Sequence, residues 1–279
     1  MTAPCFTLAQ DQGVAHLVMS RPEAMNTMHP QFWRELGAHL DGIHQQGTAR
    51  VLVLSSTGKH FTAGMDLSVF SGGDLTMHTA RAAQRINIRD ELGAMIATFS
   101  KLEALRLPVI AVVQGGCIGG GVDLLACTDL RYVSQDAFFC IQEVNIGMMA
   151  DLGTLQRLPK LMPDAILKEL AYTGARLGAD RALACGFVNA VLPTAQDALQ
   201  AALATAKTIA SKPPTVIYGS KIAINYAREH TIHESIEQLK LLQSALWQTA
   251  DLQEAQQAAL GKRAAVFDDL RPIVPFDQR

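Results

Sequence analysis

The pattern of apolar and polar positions changes character near residue 163. Before that point, short apolar runs alternate with amphipathic stripes. Residues 5–8 and 14–19 read as two strands joined by D-Q-G, a hairpin. The polar loop R-P-E-A-M-N-T-M-H-P follows, with Asn26 suited to anchoring it. Phe32, Leu36, Leu40 and Ile43 then recur at helical spacing, which predicts an amphipathic helix over 30–45. Residues 50–54 read as a buried strand leading into S-S-T-G-K-H-F-T-A-G-M-D-L, a loop that ends in a helix start at Asp66. After a segment loosened by Gly72 and Gly73, a long helix over 79–105 should turn Ile86, Leu92, Met95, Ile96, Phe99 and Leu102 inward. Pro108 introduces a β-branched strand over 109–113. Further strands are expected at 130–133 and 137–140, and a helix start near Asp151 as its N-cap. Beyond residue 163, helices are predicted over 195–210, 213–228, 231–246 and 252–267, with one late strand at 187–192. Strands alternating with helices before a helical tail predict an α/β core over 1–210 and a C-terminal helical region over 211–279.

The organising stretch is G-G-C-I-G-G-G-V-D-L, which lies between a strand and a helix start. Glycines let the backbone turn sharply and lie close to a bound group. Unpaired N–H groups at a helix start carry partial positive charge and suit a developing oxyanion. F-T-A-G-M-D, residues 61–66, is a second turn of the same kind. Three acids punctuate the apolar background at spacings of twenty and eight: Asp123, Glu143 and Asp151. Carboxyls clustered among apolar residues have raised pKa values and can donate or accept protons near neutrality. The glycine pattern excludes a G-x-G-x-x-G dinucleotide site, and neither a P-loop nor a G-x-S-x-G elbow occurs.

Composition narrows the field. A chain of 279 residues with 49% hydrophobic positions can bury a sizeable core. A net charge of −2 offers no electrostatic case for nucleic acid. Gln114, Asp123 and five glycines interrupt the apolar run over 109–127, which excludes a membrane span there. Five scattered cysteines without a C-x-x-C suit a reducing compartment rather than disulfides or a zinc ribbon. The opening M-T-A-P-C-F-T-L and the closing P-F-D-Q-R carry no targeting pattern, so a cytoplasmic location is expected. Asp66 and Asp129 read as helix caps, His230 and His233 as exposed or capping groups, and Lys59, Lys207, Lys212 and Lys221 as solvated.

F-T-A-G-M-D together with G-G-C-I-G-G-G-V-D-L resembles the crotonase (enoyl-CoA hydratase/isomerase) superfamily, over roughly residues 5–265. The resemblance implies a ββα spiral core with a C-terminal helical oligomerisation region, assembled as a homotrimer or homohexamer. It implies an acyl-CoA thioester substrate, with coenzyme A entering as part of it, and no separate cofactor, metal, nucleic-acid or membrane partner. Carried over by motif, the N–H groups of Met65 and Gly120 form the oxyanion hole, and Thr62, Ala63, Gly64 and Asp66 bind substrate. Hydratases of the superfamily use acids at the positions of Asp123 and Glu143, and typically have glycine at the position of Asp151. All three acids, with E-V-N-I-G-M-M-A-D-L-G-T-L-Q-R-L-P-K, are similar to the dienoyl-CoA isomerase branch. On that reading Glu143 removes the C2 proton, Asp151 delivers one at C6, and Asp123 tunes Glu143. Asn145 departs from that branch, where Asp is expected, and the Met148-Met149 pair is bulkier than expected. The alternatives are an enoyl-CoA hydratase, or a non-catalytic binder of acyl-CoA or RNA.

Overall fold

The computed structural model describes residues 3–69, 82–274 and 276. Its main sheet begins with β1 (Phe6–Asp11) and β2 (Val14–Met19), an antiparallel hairpin. Gln12 and Gly13 turn between them with φ of 48° and 77°, both left-handed, which matches the twist of a two-residue hairpin. Parallel to β2 run β3 (Val51–Ser56), β4 (Val109–Val113), β6 (Leu130–Ser134) and β9 (Ala190–Leu192), in the order β1-β2-β3-β4-β6-β9. A smaller sheet joins β5 (Gly116–Ile118), β7 (Phe138–Cys140) and β8 (Arg176–Gly178) in the order β5-β7-β8.

The residues of β3 and β4 are buried on both faces, apart from Ser56, and this is why they read as continuous apolar runs. Leu52, Leu54, Val109 and Ala111 face a large core that also takes Phe32, Leu36, Leu40 and Ile43 of α1 (Pro30–Gln46). Val51, Val53, Ile110 and Val112 face α7 (Ala195–Ala210), whose Ala198, Ala202, Ala206 and Ala210 form a stripe of small residues against the sheet. The N-cap Thr194 accepts from the Asp197 N–H and starts that helix.

Several expectations are corrected. The long helix α2 spans Ala82–Ala104, and its expected start at residue 79 lies outside the described residues. Ile86 is exposed rather than inward-facing, because the core contacts of α2 begin only at Leu92. The last helix, α10 (Thr249–Leu260), stops well before residue 267 because Gly261 caps it and Lys262 turns left-handed. The late strand is confined to Ala190–Leu192: Phe187 is buried, and its carbonyl oxygen accepts from Arg131 Nε. Asp129 caps no helix. It accepts from the Val109 N–H at 2.7 Å and from Lys221 Nζ at 2.9 Å. Lys221, on α8 (Pro214–Ala227), is buried rather than solvated and also donates to the carbonyl oxygens of Leu102 and Leu107. One ammonium thus ties the helical tail to the end of α2 and the start of β4. Outside it lies α9 (Ile232–Leu246), which buries none of its own residues. It sits close to α8 because a Cβ on Gly219 would come within 2.6 Å of Leu246.

Replacing Lys221 by Ala strands Asp129 and two buried carbonyls. The expected cost is about 3–5 kcal/mol, the usual loss when one partner of a buried pair is removed. Denaturant titration of Lys221→Ala checks this; an unchanged midpoint would show that water replaces the ammonium freely.

Candidate active site

The two glycine turns are held side by side by backbone hydrogen bonds. The Thr62 N–H donates to Gly116 O at 3.1 Å, and the Ile118 N–H donates to Thr62 O at 3.1 Å. His60 Nδ1 accepts from the Gly116 N–H at 2.9 Å, which places the proton of a neutral ring on Nε2. A third segment fastens the first turn: Met28 N–H donates to Gly64 O, and Asp66 N–H to Met28 O. Asn26 anchors its loop as expected, donating to the carbonyls of Thr57 and His60 while its Oδ1 accepts from the Arg21 N–H. The donors on either side of Met65 are therefore engaged, whereas the Met65 N–H has no partner among the described residues. Gly64 has φ of +85°, and a Cβ there would meet Ile118 O at 2.6 Å and Gly120 N at 3.5 Å, so only glycine allows the two turns to approach this closely. Gly120 opens α3 (Gly120–Ala126), where an N–H lacks an intrahelical acceptor.

Met65 and Gly120 line one cavity of about 630 Å³, along with Ala63, Asp66, Glu143 and Asp151. Apolar Met25, Ile118, Ile146, Met148 and Leu152 supply much of the remaining wall. Glu143 opens a 3-10 turn, Glu143–Ile146, and a Cβ on Gly119 would lie 3.0 Å from its Oε1. That carboxylate therefore sits next to the Gly120 turn, and its Oε2 is buried without a hydrogen-bond partner. Burial pushes Glu143 up to about 7, with the charges of Asp123 and Asp151 adding to the effect. Burial also raises Asp151, which is half-buried.

Asp123 is placed differently from the other two acids. It is 1% exposed and absent from the cavity wall, and its Oδ1 accepts from the Thr154 N–H at 2.6 Å. It therefore caps α4 (Thr154–Arg157) from another element, a role expected of Asp151. Gly153 with φ of +115° precedes that helix, which leaves Asp151 free to face the cavity. Burial raises Asp123 to about 6, against the opposing pull of the Thr154 N–H.

The other expected substrate-binding positions divide. Ala63 and Asp66 reach the cavity, while Thr62 and Gly64 are buried behind it. The Thr62 hydroxyl donates to Asn26 O and accepts from the Gly64 N–H, so it shapes the turn rather than the cavity. Asp66 accepts from Ser68 and Thr27, bonds that hold its carboxyl below its ordinary range, in keeping with its reading as a cap. Asn145 donates to Gln142 and Gly174 O and so ties its loop to the end of α5 (Asp164–Thr173). Met148 lines the cavity and Met149 points outward, 71% exposed. Sequence reasoning missed Arg176, which lines the cavity with its guanidinium 4.2 Å from the Phe138 ring centroid. No motif marks it; only the β7–β8 pairing brings it there. Among the described residues, no cluster of His, Cys, Asp or Glu could hold a metal ion.

Paired turns offering two N–H groups beside buried carboxyls, on a spiral of strands and helices, define the enoyl-CoA hydratase/isomerase class. The chain belongs to that family: residues 9–270 match the model described as Enoyl-CoA hydratase/isomerase. It is 40% identical over 253 residues to the mitochondrial Delta(3,5)-Delta(2,4)-dienoyl-CoA isomerase of Rattus norvegicus, covering 90% of this chain and 77% of the rat protein. It is 35% identical to the peroxisomal Delta(3,5)-Delta(2,4)-dienoyl-CoA isomerase of Arabidopsis thaliana, covering 93% and 94%. Among solved structures, an enoyl-CoA hydratase from Bacillus anthracis superposes with a TM-score of 0.85 at 27% identity, covering 94% of this chain and 98% of that one.

Two outcomes follow from this arrangement. Below about pH 4, where Asp123 is protonated in both the folded and unfolded states, Asp123→Ala leaves a buried N–H unsatisfied and should cost about 1–3 kcal/mol. Asp123→Asn, which keeps a capping oxygen, should cost distinctly less. Equal losses in thermal unfolding would remove the capping role. Glu143 behaves oppositely to a stabilising acid. The folded state keeps its proton up to about 7, whereas an unfolded Glu releases it near 4.5. Folding therefore binds the extra proton between those values, and stability falls as pH rises through that window. Glu143→Gln removes the penalty and should be more stable above pH 7 by on the order of 2–3 kcal/mol, with little gain near pH 4. Denaturation curves at the two pH values check the sign.

Proposed function

We infer that this protein is a Δ3,5-Δ2,4-dienoyl-CoA isomerase acting in the degradation of unsaturated fatty acyl chains. The observation that carries this reading is the separation of the three acids. Glu143 and Asp151 face one cavity with the Met65 and Gly120 turns, while Asp123 is withdrawn behind the wall as a helix cap. A hydratase would use the acids at 123 and 143 to flank one water, whereas here it is Asp151, not Asp123, that lines the cavity with Glu143.

In a 3,5-dienoyl thioester the diene is not conjugated with the carbonyl. Glu143 removes a proton from C2, which gives a dienolate whose charge spreads over the thioester oxygen, C2, C4 and C6. The Met65 and Gly120 N–H groups stabilise that oxygen, and one such donor contributes roughly 2.7–4 kcal/mol where measured in another enzyme. Asp151, whose pKa burial raises, delivers a proton at C6 and completes the conjugated 2,4-diene. The apolar wall holds the hydrocarbon and excludes water from the dienolate. The five cysteines are free, which suits a reducing compartment; the rat and Arabidopsis relatives are called mitochondrial and peroxisomal.

A homotrimer or homohexamer is part of this reading. Ile232, Ile236, Leu239 and Trp247 are exposed along and just beyond α9, an apolar face suited to a second copy. Sedimentation at micromolar concentration should give three or six times the 30.1 kDa chain mass. A single 30.1 kDa species would refute the assembly.

Asp151→Asn should fold normally, because Asp123 rather than Asp151 caps α4. Isomerisation should fall by about 10²–10⁴-fold, the usual contribution of one general acid. Exchange of the C2 proton with deuterated solvent should decline far less, since Glu143 and the two N–H groups remain. Normal isomerisation by this variant, monitored by absorbance of the 2,4-dienoyl thioester, would show that another group protonates C6.

A further inference from the structure

Asp151 lines two cavities. One is the acyl cavity that it shares with Glu143. The other, of about 390 Å³, lies on its far side between α2, the α4 turn and the end of α8. Six of the nine residues lining this rear cavity are charged, against four of sixteen around the acyl cavity. Glu103 sits in its wall, bridging Arg157 and Arg228 at 2.8 Å each. The Nε of Arg228 is buried and unpartnered, a donor that a water in the cavity would satisfy. Exposed Gln156, Lys160 and Glu229 also line it, so it opens to solvent. The volume is far above what a single water requires, and the charged side chains in its wall suit a hydrated passage.

A proton-balance problem gives this passage a use. Substrate and product are isomers, but one turnover leaves the protein altered. Glu143 has gained the C2 proton and Asp151 has lost one to C6. Before the next turnover Asp151 must gain a proton and Glu143 must lose one, with no net change. While an acyl chain fills the front cavity, the two acids are separated by hydrocarbon. We propose that the rear cavity is the route by which Asp151 is reprotonated from solvent, through water, independently of acyl occupancy of the front cavity. Hydronium or a buffer acid supplies the proton to Asp151, and Glu143 releases its own to water when product leaves. The Glu103–Arg157–Arg228 cluster keeps the passage polar and open. The inference rests on Asp151 acting at C6.

Rapid mixing of the whole protein with excess 3,5-dienoyl-CoA separates the first turnover from the rest. Filling the rear cavity with Gln156→Trp, an exposed position outside the acyl cavity, should leave the first turnover at the parent rate. Later turnovers should slow about tenfold, equivalent to about 1.4 kcal/mol on the barrier, and appear as a burst of one product per subunit. That slow phase should slow further in deuterated solvent and quicken with buffer concentration. Ile96→Phe, from the opposite wall, should act in the same way and serves if the first variant fails to fold. A burst indifferent to both deuterium and buffer reports slow product release and overturns the proposal, as does the absence of any burst in folded variants of both kinds. Absence of 2,4-dienoyl product from the parent protein in the first turnover would instead refute the isomerase reading itself.

Discussion

The site depends on the pairing of two loops through Thr62. Its N–H and C=O bond to Gly116 and Ile118, and its buried hydroxyl joins Asn26 to Gly64. These bonds fix the spacing of the Met65 and Gly120 N–H groups. An oxyanion hole works only when its donors are aimed in advance, because donors that must reorganise during the reaction lose much of their effect. The surrounding parallel strands, buried on both faces, supply the rigidity this needs. Thr62 never touches the cavity, so its contribution acts through the backbone it holds.

Burying carboxyls works against stability, and the fold arranges three of them by different means. Asp123 receives an N–H and a structural duty. Glu143 keeps an unpartnered oxygen beside Gly119, a poor environment for a charge and a good one for a base near neutrality. Asp151 sits on a short turn fixed from both sides: the Asp123 carboxylate holds Thr154 N, and Arg157, anchored by Glu103, reaches Leu152 O. The same turn lies between a cavity with a mostly uncharged wall and one lined mostly by charged residues. A carboxyl at such a boundary meets hydrocarbon on one side and water on the other, which suits a group that must both give and recover a proton.

Much of the architecture was legible in the chain because it follows from local periodicity. The stripe of Phe32, Leu36, Leu40 and Ile43, the alanines of α7 and the continuous apolar runs of β3 and β4 each state their element and buried face without reference to anything distant. Paired glycine turns and the spacing of three acids identified the chemistry for a related reason: a close backbone approach admits only glycine, and acids in apolar sequence are rare without a use. What the sequence determined by itself was therefore the elements, the family and which groups could react. Only the tertiary structure decided how those groups divide the work. Asp123 and Asp151 are the same residue type, but a single N–H from Thr154, thirty-one positions beyond Asp123, makes that residue a cap and leaves Asp151 facing the cavity. Lys221 looked like any surface lysine until two distant carbonyls and Asp129 enclosed it, and Arg176 reaches the cavity solely through strand pairing. Spacing along a chain records what a residue can do, whereas burial and partners are set by contacts between segments far apart in sequence.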